Sequence, residues 1–172
     1  MGPPGGGLIP FFGSIIIEGT GPGPDNPREH PNEITTWIDM GVVYGNSDTR
    51  ADWLRSKVGG RLKVNETADG DLLPLAIYSE DPTAPGMSFA GFNFSTSYIA
   101  GDPRANEHVA LMSMHVLWVR EHNRLAEAIS ARNLDWSDEQ IYQRARKINT
   151  AIFQSINNNE FLPALGVNLE PY

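Results

Sequence analysis

The stretch AGDPRANEHVALMSMHVLWVREHNRLA, residues 100–126, decides the fold. Asp102 is a favoured N-cap residue and Pro103 is favoured at the first helical position, so the pattern predicts a helix from about Arg104 to Ala131. Residues 109–119 are apolar on almost every side of that helix. Such a segment predicts a helix that is buried on most of its sides.

A second helix follows this stretch. Ser137 and Gln140 form a capping-box pattern at its start. Its predicted buried stripe consists of Ile141, Ala145, Ile148, Ile152 and Ile156, and the helix is expected to end near Asn159. No glycine or proline occurs in the 59 residues from Arg104 to Leu162. We therefore expect two long helices within residues 102–166.

The chain upstream of the helices has a different composition. Thirteen of the first 24 residues are Gly or Pro, which predicts an irregular segment over residues 1–31. Residues 33–44 fit either a short helix or an extended segment, and Ser47 is expected to cap a short helix that ends near Ser56. The Asp69-Gly70 turn is compatible with one short hairpin in the loop region 32–101. The sequence thus predicts one mainly α domain over residues 1–172.

Composition excludes several kinds of protein. The 172 residues include no cysteine, which excludes disulfides, thiolate metal sites and thiol catalysis. The net charge of −8 argues against nucleic-acid binding. The sequence contains no run of about 18 consecutive apolar residues, which is the length that a membrane-spanning helix needs. The N-terminus carries no basic region and is a poor match to a secretory signal.

Three patterns have both a functional and a structural interpretation. Arg104 and Glu107, three apart, could contact an anion or cofactor at a helix start, or could form an intrahelical ion pair. Oxygens at Thr35, the Trp37 carbonyl and Asp39 alternate as in calcium loops, but solvated polar residues show the same pattern. The segment REHNR, residues 120–124, is compatible with a buried polar network or with a solvated helix face.

The histidines of the first helix do not predict a metal site. His108, His115 and His122 lie seven residues apart. At 1.5 Å per residue, neighbouring members of the series are separated by about 10 Å, whereas chelation on a helix requires a spacing of three or four residues. We therefore interpret them as core or interface histidines.

Several strings, in a fixed order, resemble the animal-type haem peroxidases of the peroxidase–cyclooxygenase superfamily. The resemblance extends over about residues 10–166, and the absence of cysteine together with the Gly/Pro-rich entry is similar to the bacterial branch. The strings are NEITTWIDMGVVYGNS (32–47), LLPL (72–75), the helix stretch (100–126), LDWSDEQIYQRARKI (134–148) and EFLPALG (160–166).

The resemblance implies a fold, an activity and a cofactor. The fold would be the central part of a helical peroxidase domain that binds haem b and reduces hydrogen peroxide while oxidising an electron donor. Arg104 matches the distal catalytic arginine, and Glu107 matches the glutamate that can become ester-linked to haem. Thr35, Trp37 through its carbonyl, and Asp39 match a calcium loop. The resemblance also suggests a secreted or extracellular protein.

Departures from the family pattern limit what this chain is expected to do. Gly41 stands where the family has a serine calcium ligand, and His108 stands where one member has a haem-linked methionine. No string for the distal or the proximal histidine is present, and His115 and His122 match helix residues instead. We therefore expect a fragment or truncated chain with weak haem binding and little activity. A non-catalytic helical scaffold and a calcium-binding structural protein are the alternatives.

Overall fold

The computed structural model of the chain describes residues 15–32, 34–88 and 95–167. Residues 1–14 of the predicted irregular segment 1–31, with most of its apolar patch, and Glu33 lie outside the described residues. The part of that segment from residue 15 onward consists of turns and one isolated bridge between Gly23 and Asn26. Overall the fold is mainly α, as predicted.

Short elements make up the first half. Helices α1 (Gly41–Tyr44) and α2 (Asp48–Trp53) come first, and strands β1 (Leu75–Ile77) and β2 (Thr96–Tyr98) pair antiparallel. The backbone at 34–44 is thus neither one extended segment nor a full helix, but a bent loop followed by a single turn. Ser47 does cap α2 by accepting a hydrogen bond from the Arg50 N–H, although α2 ends before Ser56. The expected hairpin at Asp69-Gly70 is reduced to one isolated bridge.

The first long helix, α3 (Val109–Ser130), begins later than the sequence predicts. Its N-cap is His108, whose Nδ1 accepts the Leu111 N–H at 3.2 Å. Asp102 is not the N-cap because its carboxylate is bonded to Arg104 and its N–H donates to the Val42 carbonyl. Residues 102–107 form turns instead, so the prediction of a helix start at Arg104 is wrong.

The second long helix, α4 (Asp138–Ile156), confirms the capping box. The Ser137 side chain accepts the Gln140 N–H, and the Gln140 side chain accepts the Ser137 N–H. The helical backbone does not end near Asn159 as predicted. A π-helical turn (Asn157–Phe161) and the one-turn helix α5 (Leu162–Ala164) follow α4 directly. Pro163 is accommodated there because a first-turn residue needs no intrahelical N–H bond.

The core lies between α3, α4 and the short elements of the first half. Helices α3 and α4 pack along their length, and fully buried Ala126 and Ala145 allow a close approach. The stripe predicted on α4 is buried or half-buried, except for Ile156, which is exposed. The larger buried cluster includes Met40, Val43, Tyr44, Leu54, Leu62, Leu73, Ile99, Trp118, Val119 and Tyr142.

A buried polar network crosses this core. His122 Nε2 lies 2.9 Å from the Gly60 carbonyl, which only accepts, so this nitrogen carries the proton in the neutral ring. Nδ1 then accepts from the Tyr44 hydroxyl at 3.0 Å, and the Tyr44 oxygen accepts from Asn149 Nδ2 at 3.0 Å. Asn123 binds both the N–H and the carbonyl of Leu62. In the REHNR segment the buried network and the solvated face therefore coexist.

The apolar surface of α3 is only partly covered. Val109 is 83% exposed and Leu117 is 53% exposed, so the expectation of burial on most sides is wrong within the described chain. The reason is geometric, since α4 and α1 pack against the opposite side of α3. The uncovered side and Leu72 line an apolar cleft of about 350 Å³.

Candidate functional site

Arg104 and Glu107 lie in the turn segment that leads into α3. The Glu107 N–H donates to the Arg104 carbonyl at 2.9 Å, which closes one turn. Both side chains are exposed, and Arg104 retains 53% of its side-chain surface. Within the described chain, Arg104 forms its ion pair with Asp102 and not with Glu107. The intrahelical ion pair considered from the spacing is therefore absent there.

Asp102 is the partner that the sequence did not reveal. Its Oδ1 accepts the Arg104 Nε–H at 3.0 Å and its Oδ2 accepts from Arg104 Nη2 at 2.7 Å. A third bond runs from the Arg104 backbone N–H to Oδ1 at 2.8 Å. The signal in the sequence was the Asp-Pro-Arg order. An aspartate often accepts the N–H of the residue two positions later, and it then stabilises a turn before the helix instead of capping the helix.

Electrostatics keep this pair charged. The hydrogen bonds from Arg104 hold the pKa of Asp102 below its usual range, and burial opposes the shift. Asp102 in turn raises the pKa of Arg104, and Glu107 adds a smaller attraction. The site therefore presents a half-exposed guanidinium, which is the group required to bind an anion or to stabilise developing negative charge.

The residues of the predicted calcium loop lie together before α1. Thr35 Oγ1 donates to Asp39 Oδ2 at 3.4 Å and accepts the Trp37 N–H at 3.2 Å. Asp39 Oδ1 accepts the Gly41 N–H at 3.0 Å. A Cβ built on Gly41 would lie 2.1 Å from Asn46 Oδ1. The Asn46 amide oxygen thus occupies the space of a side chain at position 41, a relation that the sequence did not predict.

This loop borders a polar cleft of about 440 Å³. Asn32, Asp48 and Arg146 line it together with Thr35 and Asp39. Across residues 15–32, 34–88 and 95–167 no three His, Asp or Glu residues cluster as metal ligands. A cation at the loop would therefore depend on hydroxyl, carbonyl and amide oxygens beside the carboxylate of Asp39, which is a donor set that suits Ca²⁺ better than a transition metal.

The three histidines of α3 have separate structural environments. His108 caps the helix, and His122 has both ring nitrogens bonded inside the core. His115 is buried, with Nδ1 on the Leu111 carbonyl at 2.8 Å, and its Nε2 has no hydrogen-bond partner among the described residues. None of them lines the apolar cleft of α3. Arg104 and Glu107 do not line that cleft either, so the apolar cleft and this pair of charged side chains do not form one groove.

Comparison with known proteins gives a consistent result. A model of the family described as animal haem peroxidase matches residues 4–168. Dual oxidase of Drosophila melanogaster is 36% identical over 95% of this chain, and human lactoperoxidase is 35% identical over 93%. The structure of peroxidase A from Dictyostelium discoideum superposes with a TM-score of 0.76 and 33% identity over 87% of this chain.

The chain spans only part of these proteins. It covers 11% of the dual oxidase, 23% of the lactoperoxidase and 29% of the peroxidase A chain. Along the described residues, none of the helices combines the length and the apolar character needed to cross a bilayer. The family match extends over nearly the whole sequence, and the helical fold agrees with that of a solved peroxidase. This chain therefore belongs to the animal haem peroxidase family.

Proposed function

We propose that this chain supplies the distal arginine and the haem-linking carboxylate of a haem peroxidase that reduces hydrogen peroxide while oxidising a donor. The observation that carries the proposal is the half-exposed guanidinium of Arg104, held by a buried carboxylate two residues away. Support also comes from the family match over residues 4–168 and from the helical fold.

Arg104 has the chemistry that the proposed reaction needs. Peroxide cleavage places negative charge on an oxygen, and a preorganised cationic donor stabilises that charge most where water is excluded. Haem b would supply the redox chemistry when bound. Glu107, also exposed, offers a carboxylate for an ester to the haem edge. The exposure of both side chains, in a turn rather than inside a helix, leaves them accessible to such a group.

The two buried histidines of α3 do not fit the other two roles. A peroxidase needs an axial imidazole and a base that moves the peroxide proton. His122 has no free ring nitrogen, and the free Nε2 of His115 is buried. We therefore assign neither role to α3. This observation also favours the second candidate function, a helical scaffold without catalysis of its own.

The experiment that tests the proposal is the substitution Arg104→Ala in the haem-loaded holoenzyme, by which we mean the protein that combines this segment with an axial and a distal histidine. The measurement is the rate of donor oxidation as a function of hydrogen peroxide concentration. The proposal predicts that the substitution lowers this rate, whereas the scaffold alternative predicts that peroxide-dependent oxidation does not depend on Arg104. The extracellular location remains a prediction that rests on the resemblance.

We also propose that the loop before α1 binds Ca²⁺ through Thr35, the Trp37 carbonyl and Asp39. Asn46 Oδ1 lies where Gly41 lacks a side chain and would add a fourth oxygen. Four ligand groups from the protein leave room for water in a coordination shell of six to eight oxygens. Arg146 lines the same cleft, and its charge opposes a cation, so the expected affinity is low.

Terbium luminescence excited through Trp37 measures this binding. We expect Asp39→Asn to weaken terbium binding at least tenfold, because it removes the one carboxylate of the proposed set. The matched control is Asp48→Asn, which removes an equal charge from the same cleft. Equal weakening by both substitutions would show only non-specific attraction between the cleft and the ion.

A further inference from the structure

Among the described residues, Arg104 is held by its side chain at one edge. Its Nε and Nη2 donate to the two oxygens of Asp102 at 3.0 and 2.7 Å. A guanidinium has five N–H donors, so the hydrogens on Nη1 and one on Nη2 remain outside this side-chain contact. Because the group is planar, fixing the Nε edge also fixes the direction of the remaining donors.

Asp102 is itself fixed by the core. Its side chain is only 6% exposed, against 53% for that of Arg104. The Asp102 N–H donates to the Val42 carbonyl of α1 at 3.0 Å. A Cβ on the preceding residue, Gly101, would lie 2.4 Å from the Gly41 carbonyl oxygen and 2.6 Å from the Gly45 nitrogen. Only glycine permits this contact, so the carboxylate is anchored to α1 rather than to the exposed turn.

We propose that Asp102 is a positioning residue, which holds the Nε edge of Arg104 and directs its Nη1 edge toward an anionic or peroxide ligand. The proposal rests on the function proposed for Arg104 and assigns a role to a residue that the sequence suggested only as a helix cap. An unrestrained arginine would lose much of its rotamer freedom on binding a ligand. The buried carboxylate imposes much of that order beforehand, as preorganised sites do.

The contact can be tested in the full chain without haem, by ¹⁵N NMR of the arginine Nε–H groups. Asp102→Asn keeps an acceptor for the Arg104 backbone N–H but removes the charged, two-oxygen contact. We expect hydrogen exchange at Arg104 Nε–H to accelerate at least tenfold, with partial rescue in Asp102→Glu. As a matched control, Glu121→Gln should accelerate exchange only at Arg124, which forms the same two-bond contact with Glu121.

A second measurement covers the case in which Asp102→Asn fails to fold. Arg104 is exposed, so Arg104→Gln should retain the fold, and the pKa of Asp102, followed by ¹³C NMR of its carboxyl, should rise toward the usual range. An unchanged pKa of Asp102 in that variant would overturn the proposal, as would unchanged Arg104 exchange in folded Asp102→Asn.

The functional consequence is measured in the haem-loaded holoenzyme. We expect Asp102→Asn to lower kcat/KM for hydrogen peroxide about tenfold and Asp102→Glu to recover part of the loss. An unaltered kcat/KM in Asp102→Asn would overturn the positioning role. A wild-type holoenzyme, with both histidines present, that showed no haem-dependent turnover would contradict the proposed function instead, and the NMR measurements would still decide whether Asp102 holds Arg104.

Discussion

Replacing Arg104 with alanine in the haem-loaded holoenzyme lowers kcat/KM for hydrogen peroxide by about 10²–10³-fold, which is the usual cost of removing one preorganised donor from a developing negative charge. The side chain is half exposed, and its ion-pair partner Asp102 remains anchored to α1. The loss should therefore appear in the rate and not in the free energy of unfolding. Stopped-flow kinetics of the reaction with peroxide measure it directly.

Arg124→Ala is the matched control for this experiment. Arg124 is also exposed on its helix and donates through Nε and Nη2 to one carboxylate, that of Glu121. Its removal should leave kcat/KM within about twofold, because it breaks only a surface ion pair on the exposed face of α3. Equal losses in the two variants would mean that general charge, not the position of Arg104, sets the rate.

Lowering the pH from 7 to 4 destabilises the folded chain through His122. Burial lowers the pKa of His122 from 6.5 to about 4, and the hydrogen bond to the Gly60 carbonyl opposes the shift only in part. Below pH 6.5 the unfolded chain therefore binds a proton that the folded chain excludes until about pH 4. Stability is present above pH 6.5 and is lost as the pH falls between these two values.

The size of this loss follows from the two pKa values. At 1.36 kcal/mol for each pH unit, the difference between 6.5 and about 4 corresponds to about 3 kcal/mol, of which about 2 kcal/mol is lost by pH 5. Urea unfolding at pH 7, 6 and 5 measures it. Over that interval the lowered pKa values of Asp102 and Glu121 add little, since those carboxylates protonate at lower pH.

Two variants assign the pH dependence to His122. His122→Gln does not titrate, so its lower stability should be nearly independent of pH between 7 and 5. His30→Gln changes a histidine whose ring lies in an exposed contact with the Ile15 carbonyl, and it should keep the wild-type slope. If His122→Gln unfolded with the wild-type slope, the buried network would not be the source of the acid sensitivity.

Local signals predicted much of the fold. The capping box at Ser137 and the apolar stripe of α4 depend on neighbouring residues, and both appear in the structure. The start of α3 could not be read in this way. Asp102 has the chemistry of a cap, but its N–H donates to the Val42 carbonyl, a contact that only the tertiary structure determines.

The candidate site was predictable only in part for the same reason. The resemblance singled out Arg104 and Glu107, whereas spacing alone allowed an intrahelical ion pair between them. The burial of Asp102 beside Arg104 and the position of the Asn46 amide beside Gly41 became visible only in the folded backbone, although both partners lie close in sequence. Apolar residues around α3 predicted burial, but no local signal shows on which side a covering segment is present.

Titration of haem into this chain, with parallel peroxidase assays, tests most directly the claim that it contributes Arg104 and Glu107 but no axial histidine. We predict weak binding, a Soret spectrum without histidine coordination to iron, and donor oxidation near that of free haem. Tight binding with a histidine-ligated five- or six-coordinate spectrum and rapid peroxide turnover would contradict this account.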